Sequence, residues 1–247
     1  DGGGSPFGAG NIAIYSRDDL LTNGGFESGN LSGWGIDGAT PDVVTSGSIF
    51  IPSSGEPYEG THMAYKTACC NAFTWEFTIY QELSVIPGRR YAARFRTCLG
   101  IHDVPGESST LTADLQWVNG AWGGTPVTLA SESAVDDEVI EWALVESTFI
   151  PTGSTATVAI HVVLTDPVEF AAVRLDAVTT RVYGGTASSF DGSTATWDAV
   201  SSSEGEVFTV IATDPAGNSA SADSSAFSVC DPGFITGVGR PLWEDMR

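Results

Sequence analysis

At 247 residues the chain suffices for one large or two small domains, and no apolar run approaches the roughly 20 residues that cross a bilayer as a helix. Its 31 acidic side chains outnumber 10 basic ones, with Lys66 the one lysine, for a net charge of −21. That balance argues against nucleic acid and anionic membrane surfaces as partners, and suits divalent cations, a saline medium or neutral sugars; solubility alone is the plainer reading.

Abundant Gly, Ser, Thr and Pro predict many turns and short strands. The chain starts Asp1-Gly2-Gly3-Gly4, which reads as a mature or excised piece. Residues 1–19 read as an extended arm, with a short strand from Asn11 to Tyr15. Leu20 onward reads as a strand, a glycine turn and one carboxylate, Glu27, closed by Trp34. Arg90–Leu99 alternates: Tyr91, Ala93, Phe95, Thr97 and Leu99 point one way, Ala92, Arg94, Arg96 and Cys98 the other. Leu111–Trp117 sets Leu111, Ala113 and Leu115 against Thr112, Asp114 and Gln116. Thr155–Leu164 sets Ala156, Val158, Ile160, Val162 and Leu164 against Thr157, Ala159 and His161. Pro87-Gly88 and Asn119-Gly120 are turn signals, and no long amphipathic helix is evident. The pattern predicts an all-β chain: an antiparallel β-sandwich over 20–184, then a small second β segment over 185–247.

Four cysteines in an acidic, lysine-poor, β-rich chain fit an exported protein with disulfides. Adjacent cysteines bridge each other poorly, so Cys69 or Cys70 is expected to reach Cys98, and the other to reach Cys230 or remain a thiol. Catalysis has little support. Three scattered histidines, with no G-x-S-x-G, no H-E-x-x-H and no nominated carboxylate pair, assemble no reacting constellation.

Three blocks carry a family resemblance. Asn23-Gly24-Gly25-Phe26-Glu27-Ser28-Gly29 leads to Gly33-Trp34; Tyr80-Gln81-Glu82-Leu83-Ser84-Val85-Ile86-Pro87-Gly88 leads to Tyr91, Phe95 and Arg96; Leu175-Asp176-Ala177-Val178 comes last. In this order they resemble galactose-binding-like jelly rolls, in particular carbohydrate-binding modules of the family 4, 9, 16 and 22 type. The resemblance spans about 20–184 and implies a jelly roll, a polysaccharide or glycan partner and a structural calcium. Carried over by position, the calcium ligands are Glu27 and Asp176, with backbone carbonyls near Gly25 and Thr61; six to eight hard oxygens suit that ion. The alternative is that both carboxylates satisfy turn amides.

Sugar recognition pairs aromatic platforms with planar polar groups. If the Arg90 and Leu111 strands share a sheet with Thr74–Ser84, their outward residues form a patch of Glu76, Tyr80, Arg94, Arg96, Asp114 and Gln116, with His161 beside it. Trp75 and Trp117 sit in phase with apolar neighbours and read as core, whereas Trp122 lies in a loop and suits a platform. A salt-bridged sheet face, Arg94 and Arg96 against Glu76 and Asp114, is the competing reading.

Beyond Gly184-Gly185, the run Thr213-Asp214-Pro215-Ala216-Gly217-Asn218 resembles the end of bacterial immunoglobulin-like repeats. It covers half of such a domain, so another element should complete it: the arm, the first domain's surface or another chain. Two functions follow. One is a non-catalytic, secreted or cell-surface carbohydrate-binding module with calcium. The other is a structural or adhesive subunit that shares strands between chains.

Overall fold

The computed structural model describes residues 10, 12–46, 55–72, 74–103, 108–135, 137–165, 168–190, 195–196, 207–213 and 219–223; for Cys69 and Cys70 it describes the backbone. The glycine-rich start of the arm, the 214–218 motif, Cys230 and the C-terminal tail lie outside the described residues. Among the described residues the strands are β1 (Ile12–Ser16), β2 (Gly35–Gly38), β3 (Asp42–Val44), β4 (Met63–Ala72), β5 (Trp75–Ser84), β6 (Tyr91–Asp103), β7 (Thr110–Val118), β8 (Val127–Val135), β9 (Val139–Phe149), β10 (Thr155–Thr165), β11 (Val168–Thr186), β12 (Ser189–Phe190), β13 (Ala195–Thr196), β14 (Phe208–Thr213) and β15 (Ser219–Asp223). No described helix is long and apolar enough to cross a membrane. The chain divides into two compact units: Leu20–Gly88 with Ala93–Thr180, and Asp1–Asp19 with Arg89–Ala92 and Arg181–Arg247.

The larger unit is an antiparallel β-sandwich. One sheet runs β2-β5-β10-β7-β8; in the other, β3, β4, β11, β6 and β9 follow in that order. Alternation makes the core: Phe77, Ile79, Leu111, Leu115, Val158, Ile160 and Val162 from the first sheet, and Phe95, Leu99, Ala171, Val173 and Leu175 from the second, are buried. Each large side chain removed from water contributes about 1.5–3 kcal/mol before the entropy of ordering is counted.

Two sequence expectations change here. Residues 20–34 form no strand. They make successive turns, because Asn23 ties its own loop together: its Nδ2 donates to the Asn30 and Ser32 carbonyls at 2.9 and 3.2 Å, and its Oδ1 accepts the Ser28 N–H at 3.1 Å. Phe26 is buried in the loop and stacks on Trp34 with centroids 5.7 Å apart. The Pro87-Gly88 turn is present, but the Arg90 strand that follows it does not share a sheet with Thr74–Ser84. The turn carries the chain from β5 in one sheet to β6 in the other, latched by the Val85 and Gly88 N–H groups on the Ser154 and Pro151 carbonyls at 3.0 and 2.7 Å.

In the smaller unit β1 lies between β14 and the end of β11, and β15 pairs with β14. Ile12, Ile14, Ala187, Phe208 and Ala212 form one buried cluster, and Tyr15, Ala92 and Ile211 a second. The strand of the arm is therefore paired within its own chain.

Candidate functional site

Glu27 and Asp176 do not touch each other; both grip the 58–62 segment. The Glu27 carboxylate accepts the Thr61 N–H at 2.9 and 3.1 Å, the His62 N–H at 3.0 Å and the Thr61 hydroxyl at 2.8 Å. Those amides hold its pKa below the usual carboxylate range. Asp176, fully buried, accepts the Glu59 N–H at 3.0 Å and the Ala177 N–H at 2.7 Å. Ala177 takes φ 51°, a left-handed conformation uncommon for alanine. Burial pushes Asp176 up to about 6, the Glu59 charge adds to that, and the amide bonds oppose it.

The donors here are hard oxygens. A Cβ added to Gly25 would lie 3.9 Å from Asp176 Oδ1, 3.9 Å from Glu59 Oε1 and 3.7 Å from Glu27 Cγ, so three acidic side chains converge on that bare backbone. Gly60, at φ +63°, is equally constrained, since its Cβ would stand 2.3 Å from Glu27 Oε1. Among the described residues no three acidic, His or Cys side chains are placed so that they could hold a metal ion. The donor type, hard oxygen, is the type that calcium takes. Glu59 and His62 were not legible as members of this cluster; their place depends on a turn 117 residues from Asp176 in sequence.

The outward face of the first sheet holds the second constellation. Register places Thr78, His161, Asp114 and Ser131 in one row across β5, β10, β7 and β8, and Gly35, Tyr80, Ala159, Gln116 and Thr128 in the next. His161 Nε2 lies 2.8 Å from Glu76 Oε1, and its Nδ1 lies 3.7 Å from Asp114 Oδ2 and 3.4 Å from Gln116 Nε2. The Ser131 hydroxyl donates to Asp114 at 2.5 Å and Gln116 reaches Thr128 at 3.4 Å. The Tyr80 ring lies flat over Gly35, where a Cβ would come within 2.3–2.8 Å of three ring carbons. Trp122 stacks on Tyr80 with centroids 4.5 Å apart and planes 14° from parallel. Two bonds fix its loop: the Trp122 N–H donates to Glu82 at 2.9 Å and the Thr157 hydroxyl to the Gly120 carbonyl at 2.8 Å. Trp122 itself is half-buried.

Tyr80, Trp122, Glu76, Asp114, Gln116 and His161 therefore share one face. Arg94 and Arg96 do not. β6 pairs with β11 and β9, so both arginines belong to the other sheet, and the expected pairing with Glu76 and Asp114 is replaced by His161. Arg94 instead donates to the Thr179 hydroxyl at 3.1 Å and pairs with Glu146 at 3.9 Å. Trp75 stacks on Phe77, and Trp117 packs on Phe149.

The bridge from Cys69 or Cys70 to Cys98 is also overturned. Cys98 is a buried thiol with Arg174 Nη1 at 4.0 Å. Cys69 and Cys70 lie on β4 and Cys98 on β6, with β11 between them. Two interstrand spacings are about 9.6 Å, beyond the roughly 7 Å that a disulfide spans between Cα atoms.

Solved structures resemble this chain at low identity. The family 61 carbohydrate-binding module TmCBM61, solved with β-1,4-galactotriose, is 22% identical over 66% of this chain and 98% of its own, with a TM-score of 0.46. The CBM22-2 xylan-binding domain of Paenibacillus barcinonensis Xyn10C is 16% identical over 64% and 97%, with a TM-score of 0.39. The apo form of a cyclase from Fischerella sp. is 14% identical over 69% and 96%, with a TM-score of 0.41. No protein-family model matches the chain, and no curated protein does.

Proposed function

We propose that the protein is a non-catalytic, extracellular carbohydrate-binding module whose first sheet binds a neutral polysaccharide. The observation that carries this reading is the Tyr80–Trp122 stack beside the hydrogen-bonded row Glu76, His161, Asp114 and Gln116. A pyranose presents a C–H face and a rim of hydroxyls. The indole offers a flat apolar surface for the first; the carboxylates, imidazole and amide offer donors and acceptors for the second. The row is rich in acidic groups, which favours hydroxyls over anionic substituents.

In the same reading, calcium bound by Asp176, Glu59 and Glu27, with backbone oxygens at Gly25 and Thr61, pins the 58–62 segment and stabilises the sandwich.

Isothermal titration calorimetry against soluble neutral polysaccharides, galactan and xylan included, tests the sugar site. The native protein should bind at least one, and Trp122→Ala should weaken that binding about tenfold or more at unchanged β-sheet circular dichroism. Equal binding by the variant, or no binding across the panel, refutes the assignment.

A further inference from the structure

Arg96, displaced from the expected patch, has an environment of its own on the outward face of the second sheet. Its guanidinium lies over the Tyr58 ring, 4.6 Å from the centroid. Trp142 meets Tyr58 edge-on at 5.8 Å and 62°, and its carbonyl accepts from Arg96 Nη1 at 3.4 Å, a long bond. Tyr58 is 44% exposed, and Arg96 and Trp142 are half-buried. Among the described residues no carboxylate stands within ion-pair distance of Arg96, although its strand neighbour Arg94 has Glu146. In a chain with 31 acidic residues, a guanidinium laid over an exposed tyrosine ring, with a backbone carbonyl as its hydrogen-bond acceptor and most of its five donors unspent, is conspicuous.

We propose that Tyr58, Arg96 and Trp142 form a second ligand site, separate from the Tyr80–Trp122 face, that takes one uronic-acid unit of an otherwise neutral glycan. Two features select that chemistry. A guanidinium fork matches a carboxylate bidentately, and adjoining aromatic surface suits the C–H face of the same sugar ring. One unmatched cation accommodates one negative charge. A run of successive anions, as in an acidic peptide, would meet Glu146 beside Arg94 and the repulsion of a chain carrying −21. The site shares no residue with the neutral-sugar face, so either survives the failure of the other.

The test compares an oligosaccharide ending in glucuronic acid with the same oligosaccharide after its carboxyl is reduced to the alcohol. Calorimetry gives the affinities, and 1H–15N NMR reports the Trp142 and Trp122 indole signals. The acid form should bind at least fivefold tighter than the reduced form and shift the Trp142 signal. That preference should vanish in Arg96→Gln, persist in Trp122→Ala and shrink as salt rises from 20 to 500 mM on the native protein. Tyr58→Ala, at an exposed ring, should lower affinity for the acid form even if Arg96→Gln proves unstable. Equal affinity for acid and reduced forms, a preference lost with Trp122 but kept without Arg96, or a triglutamate peptide binding as tightly as the glycan would each overturn the proposal.

Discussion

At Gly35 the absence of one methyl group decides the shape of a site. Its strand partner Tyr80 lies flat across it, and the indole of Trp122 rests on the phenol in turn. Gly35→Ala places a carbon 2.3 Å from Tyr80 Cζ, so the ring has to swing and the stack opens. An offset aromatic pair contributes roughly 0.5–1.5 kcal/mol, which sets the scale of the loss at about 2- to 13-fold in sugar affinity. Near-ultraviolet circular dichroism of the Tyr80–Trp122 pair should fall while the far-ultraviolet β-sheet signal stays. If the substitution leaves both the near-ultraviolet signal and the affinity unchanged, the platform does not depend on this contact.

β5 organises the larger unit from both of its faces. Outward it presents Glu76, Tyr80 and Glu82. Inward, buried Gln81 holds the loop at Thr22: its Oε1 accepts the Thr22 N–H at 3.0 Å and the Thr22 hydroxyl at 3.1 Å, and its Nε2 donates to the Thr22 carbonyl at 2.6 Å. Gln81→Leu keeps much of the volume but removes the partner of the Thr22 N–H, carbonyl and hydroxyl, costing about 1–3 kcal/mol. Urea unfolding should show the midpoint falling at unchanged m-value, and an unchanged midpoint would place the loop's anchorage elsewhere. This strand also marks where sequence reading stops. Two-residue periodicity locates β6, β7 and β10 and assigns their inward faces, because alternation is a property of each strand alone. Whether Pro87-Gly88 folds β6 back beside β5 or carries it into the facing sheet depends on latching to Pro151 and Ser154, more than 60 residues away. That one ambiguity puts Arg94 and Arg96 beside Glu76 and Asp114 in the sequence reading, whereas the expected Cys98 bridge rests on the poor geometry of adjacent cysteines and fails because β11 lies between β4 and β6. The 20–34 segment was misread for a related reason: its apolar residues serve a turn tied by the Asn23 side chain, which periodicity does not register.

Across the whole molecule the controlling quantity is negative charge, and Asp176 is where it is buried. With the native pKa at about 6 against an ordinary 3.8, the folded protein holds a proton between about pH 4 and 6 that the unfolded chain has released. Rising pH through that window therefore costs stability, by at most about 3 kcal/mol for a shift of about two units. Glu27 works in the opposite sense and in a lower window. Its depressed native pKa contributes stability that is present above about 4.5 and is lost as pH falls toward the folded value. Self-repulsion within a chain of net charge −21 reinforces the decline on the alkaline side. In the presence of a chelator, the melting temperature should fall from pH 4.5 to pH 7. Under the proposed calcium reading the sign reverses, because a bound cation would favour the ionised form of Asp176 that burial and the Glu59 charge disfavour. With 5 mM calcium, about the concentration needed to saturate even a weak extracellular-type site, the melting temperature should hold or rise over the same range. Magnesium at equal ionic strength should not substitute, since its small octahedral shell releases water reluctantly. Glu59→Gln should remove most of the calcium effect at pH 7 while leaving the Asp176 titration in place. Were calcium and magnesium to raise the melting temperature equally, the effect would be general screening of the acidic surface, and the Glu27–Glu59–Asp176 cluster would be a network of turn-capping carboxylates that binds no ion.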